Sequence, residues 1–128
     1  VDLHYFFAGP RERPVLAIVR RKDRMRFPEH AGRGEASYEF ESLDFPAPER
    51  KLNAFYAEFF TVPADSVRRH SHAGVELIYV IQGTLSVHVD ADEHILAKGN
   101  SMYFDARVPH GYRKSAGRTC TAIIVTTP

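Results

Sequence analysis

His70-Ser71-His72-Ala73-Gly74-Val75-Glu76, with Gly83 following, sets two imidazoles, a third donor and a glycine into one short stretch. Successive side chains of an extended chain alternate between faces, so positions 70, 72 and 76 can all enter one cavity. Imidazole nitrogen together with carboxylate oxygen suits Fe, Mn, Zn, Ni or Cu. A two-His, one-carboxylate face also leaves positions open to water, oxygen or substrate. The stretch therefore predicts a site for one divalent transition metal.

A second block reads Gly99-Asn100-Ser101-Met102-Tyr103-Phe104-Asp105-Ala106-Arg107-Val108-Pro109-His110-Gly111. Together the two blocks resemble the signature motifs of the cupin superfamily, position by position at His70, His72, Glu76 and Gly83, then at Gly99, Pro109 and His110. The resemblance implies an all-β fold, the cupin double-stranded β-helix or jelly-roll barrel. It also implies a metal held by His70, His72, Glu76 and His110. Asn100 departs from the Asp usual in cupins after the glycine, but Asn serves equally well in a turn.

The remaining sequence agrees on β structure without help from the motifs. Short apolar or alternating runs are broken at Gly9-Pro10, Gly32-Arg33-Gly34, Pro46-Ala47-Pro48, Pro63-Ala64-Asp65, Gly83, Gly99 and Gly117. Strands are expected at Val15–Arg20, Ser37–Leu43, Asn53–Phe60, Val75–Gln82, Thr84–Asp90, His94–Leu96, Ser101–Phe104 and Thr119–Val125, the pattern of a sandwich or barrel. If Glu76 faces the cavity, Ile78 and Val80 face it too. In the next strand Leu85, Val87 and Val89 point inward, and Ser86 and His88 turn the other way. His88 and His94 are therefore expected to be ordinary polar residues. Met102 or Phe104, together with aromatics of 53–60, is expected to line the pocket.

With 128 residues, 44% of them hydrophobic, the chain suits a single domain. On this reading 1–128 is one cupin domain, with N-terminal strands and an arm over about 1–50 and the barrel with both motifs over 51–128. A net charge of +1 gives no electrostatic case for binding nucleic acid. Arg20-Arg21-Lys22-Asp23-Arg24-Met25-Arg26 reads as a solvated face or subunit contact. Cys120 stands alone, in an apolar run that makes it a small core residue in a reducing compartment. With neither a leader nor a membrane-spanning run, the expectation is cytoplasmic, with no membrane partner.

Leu3-His4-Tyr5-Phe6-Phe7, a strand ending Val19-Arg20-Arg21, and the block from Tyr103 to Arg113 resemble the C-terminal cupin domain of XRE-type regulators. That resemblance implies a sensor for a small-molecule effector, a homodimer, and DNA contact only through an N-terminal helix-turn-helix domain missing from this chain. By linkage, an effector shifts DNA affinity only as far as it binds two arrangements differently. The alternative is a stand-alone metal-dependent enzyme of dioxygenase, epoxidase or isomerase type. Polar candidates near the metal are then Tyr79, Tyr103, Asp105 and Arg107, although Tyr79 has the wrong parity and Asp105 with Arg107 reads as a salt-bridged loop. No catalytic residue can be named from this pattern, so the regulatory reading ranks first. A purely structural metal fits less well, because closed structural zinc sites favour Cys.

Overall fold

Apolar alternation and turn residues resolve into seven strands in the computed structural model, which describes residues 14–30, 32 and 34–128. They are β1 (Arg26–Pro28), β2 (Tyr38–Ser42), β3 (Asn53–Phe59), β4 (Val75–Val89), β5 (Asp92–Leu96), β6 (Ser101–Asp105) and β7 (His110–Thr126). All pairings are antiparallel, in the order β1-β2-β3-β7-β4-β5, with β6 also on β4. Two short 3-10 turns, Arg21–Asp23 and Ala64–Ser66, are the helical elements among the described residues. The all-β expectation holds.

Two long strands close the structure on itself. β4 pairs with β7 twice, Glu76–Val80 against Ala122–Thr126 and Leu85–Val89 against His110–Lys114, with register shifts between Val80 and Leu85. Its first half shares the sheet of β2, β3 and β6, and its second half carries β5. Residues from both halves meet in one core: Ile78, Val80, Leu85 and Val87 of β4 pack with Ala57, Phe59, Tyr112, Cys120, Ala122 and Ile124. Each large aliphatic side chain buried there contributes about 2 kcal/mol. Cys120 is fully buried, as expected, and burial pushes its thiol up to about 11, which keeps it protonated.

Several sequence expectations need correction. Val75–Gln82 and Thr84–Asp90 are one strand, because Gly83 bends the chain without ending the ladder. β7 begins at His110, far ahead of Thr119, and β1 was not anticipated. Val15–Arg20 forms no strand; Leu16 is 80% exposed, and β-propensity without a partner makes no ladder. The strand expected at His94–Leu96 starts earlier, at Asp92, with His94 opposite Val87. The segment Leu3 to Phe7, the turn at Gly9-Pro10 and Arg33 lie outside the described residues. Of the basic run, Arg24 pairs with Glu41 and Arg26 with Glu39, Glu41 and Glu58, so acidic side chains of β2 and β3 neutralise it locally. Among the described residues, no helix is long and apolar enough to cross a membrane.

The parity of β4 is as expected, but the consequence for its second half differs. Ser86 and His88 do turn away from Leu85 and Val87, yet both are buried. The cover comes from the loop after β3: Arg68 O and Val67 Cγ1 lie against Gly111, the residue opposite His88. Arg113 Nε donates to His88 Nε2 at 3.2 Å, and Arg113 Nη2 donates to Glu93 at 2.8 Å. Burial first, then the charge of Arg69, holds the His88 pKa below its ordinary 6.5, with Arg113 adding to and Glu93 opposing the shift. An unfolded chain protonates this imidazole before the folded one does. The stability that neutral His88 contributes is therefore complete above about pH 6.5 and is lost as pH falls through the lower folded value. In urea titrations at pH 7.5 and 5.5, the wild-type midpoint should drop more on acidification than that of His88→Gln.

Candidate metal centre

Three separate pieces of chain deliver the donors. His70 to His72 run extended beside the start of β7: His70 N–H donates to His110 O at 2.8 Å, His110 N–H donates to His70 O at 3.0 Å, and His72 N–H donates to Ala106 O. A turn at Gly74 then leads into β4, whose second residue, Glu76, points inward from between β6 and β7. His110 opens β7. Glu76 and His110 are each 2% exposed, whereas the His72 side chain is 39% exposed at the rim.

One potential ligand atom from each of His72, Glu76 and His110 lies within 4.8 Å of the others. His72 Nε2 is 3.3 Å and His110 Nε2 is 3.6 Å from Glu76 Oε1. The opposite ring nitrogens are already engaged, His72 Nδ1 with Ala73 O at 3.0 Å and His110 Nδ1 with Val108 O at 2.8 Å. A carbonyl only accepts, so each Nδ1 carries a proton and each ring turns its Nε2 toward Glu76. Two ring nitrogens and a carboxylate oxygen thus converge, an arrangement that a cation satisfies. A proton can take that place: burial alone lowers the His110 pKa, but the hydrogen bond to Glu76, the Val108 carbonyl and the Glu76 charge together raise it. A divalent transition metal fits the same donors.

Tyr112 completes the cluster. Its hydroxyl, 3% exposed as a residue, donates to Glu76 Oε2 and leaves Oε1 to face the imidazoles. Tyr112 is two residues past His110 on the same strand, so parity would have found it had β7 been started at His110. Tyr112→Phe should keep the fold while weakening Co(II) binding by about tenfold in calorimetric titration, the usual cost of losing a partner that orients a ligand.

His70 stands apart from the three. It lines the same cavity, but its Nε2 lies 3.2 Å from Glu29 Oε2. The cavity, about 450 Å³, is walled by Tyr38, Phe40, Phe55 and Ile124, with Asn53 and Thr126 as further polar groups. Of the aromatics expected from 53–60, Phe55 lines the cavity. Met102 and Phe104 are not in the lining as described; Met102 packs on the core, and the Phe104 ring lies 5.0 Å from the His110 ring. Tyr79 and Tyr103 are exposed outside, and Asp105 pairs with Arg107 through two short bonds in an exposed turn. Burial, helped by Glu29 and Glu76, pushes the Tyr38 hydroxyl well above its usual pKa, so the wall presents a protonated phenol.

Residues 58–126, more than half of the chain, match the cupin domain family. The protein belongs to the cupin family. Its jelly-roll barrel is accordingly the cupin fold. No curated protein matches the chain. Among solved structures, Fe(II)-HppE with the alternative substrate (S)-1-HPP superposes with a TM-score of 0.72 at 23% identity, covering 87% of this chain and 60% of that one. Hydroxypropylphosphonic acid epoxidase from S. wedmorenis gives 0.70 at 23% identity, covering 87% and 59%. Co(II) HppE in complex with substrate gives 0.58 at 26% identity over 70% of this chain and 51% of that one. The cupin chain thus spans about 60% of the length of the first of these, and the likeness is one of fold.

Proposed function

We propose that this cupin is a metal-dependent enzyme acting on a small organic molecule, its metal held by His72, Glu76 and His110. The observation that carries the reading is the convergence of three potential ligand atoms, two imidazole nitrogens and a carboxylate oxygen, at an aromatic-walled cavity large enough for a substrate. When bound there, the metal supplies Lewis acidity and, as iron, redox chemistry with dioxygen. The protein's own share is orientation. Val108 and Ala73 carbonyls fix the ring orientations, Tyr112 fixes the carboxylate, and Tyr38, Phe40 and Phe55 give the space beside the donors an aromatic wall. The Tyr38 hydroxyl keeps its proton and can donate it in a hydrogen bond to a bound polar group.

The fold likeness to an iron epoxidase supports catalysis over sensing. The sensor reading uses the same cavity for an effector and adds a homodimer and a DNA-binding domain of XRE type. Oxygen uptake by anaerobically iron-loaded protein separates the two, over a panel of small molecules starting with hydroxypropylphosphonic acid. Uptake that depends on both the added compound and Glu76 supports the enzyme. Stoichiometric iron binding with no uptake across the panel moves the weight to the sensor.

A further inference from the structure

His70 and His110 exchange both backbone hydrogen bonds, at 2.8 and 3.0 Å. Residues paired in that way sit opposite each other, with Cα atoms about 5.5 Å apart and side chains on one face. His70 is therefore placed beside the three converging donors and lines their cavity, yet it is not among them. What engages it instead is Glu29, on the chain just after β1.

Glu29 is a fixed carboxylate. Its side chain is 2% exposed. Oε1 accepts from Ser37 N–H at 2.5 Å and from Ser37 Oγ at 2.7 Å, and the Glu29 backbone N–H donates to Tyr38 O at 3.1 Å. Its second oxygen, Oε2, faces His70 Nε2 at 3.2 Å. A buried carboxylate is costly to leave without partners, so Glu29 Oε2 holds the His70 ring turned toward it. Held in that direction, the His70 ring keeps both nitrogens out of the group formed by His72, Glu76 and His110.

We propose that Glu29 is a latch that holds His70 off the metal, so that this chain binds its ion through three side chains where the motif offers four. The inference rests on the metal reading given above. A three-residue set leaves one more position for a substrate or small ligand than a four-residue set does. Glu29 is in this sense a positioning residue that sets the number of open positions.

Calorimetric Co(II) titration of the full chain tests this, with visible Co(II) spectra recorded on the same samples. His70→Ala should change the dissociation constant by less than about threefold and leave the spectrum superimposable, whereas His72→Ala should weaken binding by about 100-fold or more. Glu29→Ala should free His70 as a fourth ligand, tightening binding by about tenfold and altering the spectrum. The double variant Glu29→Ala/His70→Ala should lose that gain, a coupling that a merely structural role for Glu29 would not produce. A His70→Ala loss as large as that of His72→Ala overturns the latch, as does a folded Glu29→Ala protein with unchanged affinity and spectrum. Should Glu29→Ala fail to fold, Glu29→Gln, which keeps the side chain's size and removes its charge, is titrated in its place against the same two outcomes. Absence of Co(II) binding by the wild-type chain overturns the metal reading and the latch together, an outcome visible before any variant is made.

Discussion

His72→Ala is expected to weaken binding of Fe(II) or Co(II) by about 100-fold or more, while His88→Ala leaves it within about twofold. Both residues are histidines on or beside the same long strand, so the contrast tests placement and not residue type. His72 Nε2 lies 3.3 Å from Glu76 Oε1, and its Nδ1 is spent on a carbonyl, which leaves Nε2 as its free donor. Alanine removes one of three protein donors and leaves the buried Glu76 and His110 to share whatever cation enters. His88 belongs to a separate cluster with Ser86, Glu93 and Arg113 on the other face of β4. Its loss strands Arg113 Nε and lowers stability, but no atom of that cluster reaches the metal donors. Calorimetry on folded protein at pH 7.5 reads the affinities, with urea midpoints as the control for folding. Retention of wild-type affinity by His72→Ala would remove it from the donor set.

The contrast between these two histidines also shows which information was local enough to be legible in the sequence. His72, Glu76 and His110 are placed by strand parity and by two short blocks, so reading a few residues at a time suffices. The all-β architecture was legible for the same reason: Tyr38–Ser42, Asn53–Phe59 and Ser101–Asp105 fall within a residue or two of their expected bounds. His88 was not legible. Parity turned it outward correctly, but what lies outside is Val67-Arg68, and no period in β4 encodes a loop folded over it. The first half of β7 was hidden by its composition, since Gly111, Arg113 and Lys114 look like loop until β4 supplies their partners. The pairing of His70 with Glu29 spans 41 positions, a separation across which neither alternation nor motif spacing carries information.

Gly83→Ala should lower unfolding stability by about 3 kcal/mol, and Gly99→Ala by only about 1 kcal/mol. Both glycines belong to the motif blocks and both have positive φ, +74° and +85°. A left-handed backbone alone therefore penalises alanine about equally at the two sites. They differ in surroundings. At Gly99 a Cβ would meet nothing within 4 Å, as befits a turn. At Gly83 it would run into the carbonyl oxygen of Thr119 and come 2.9 Å from the Cα of Cys120, both of them backbone atoms that cannot swing aside. The difference between the two variants isolates the close approach of β4 to β7 at the bend. That approach is what lets one strand serve both halves of the barrel, carrying Glu76 to the cavity at one end and Leu85 and Val87 into the core at the other. Urea denaturation with a shared m-value measures the pair. Equal losses near 1 kcal/mol would show that β7 yields at Thr119, and the bend would then be set by the register shifts on either side of Gly83 and not by the missing side chain.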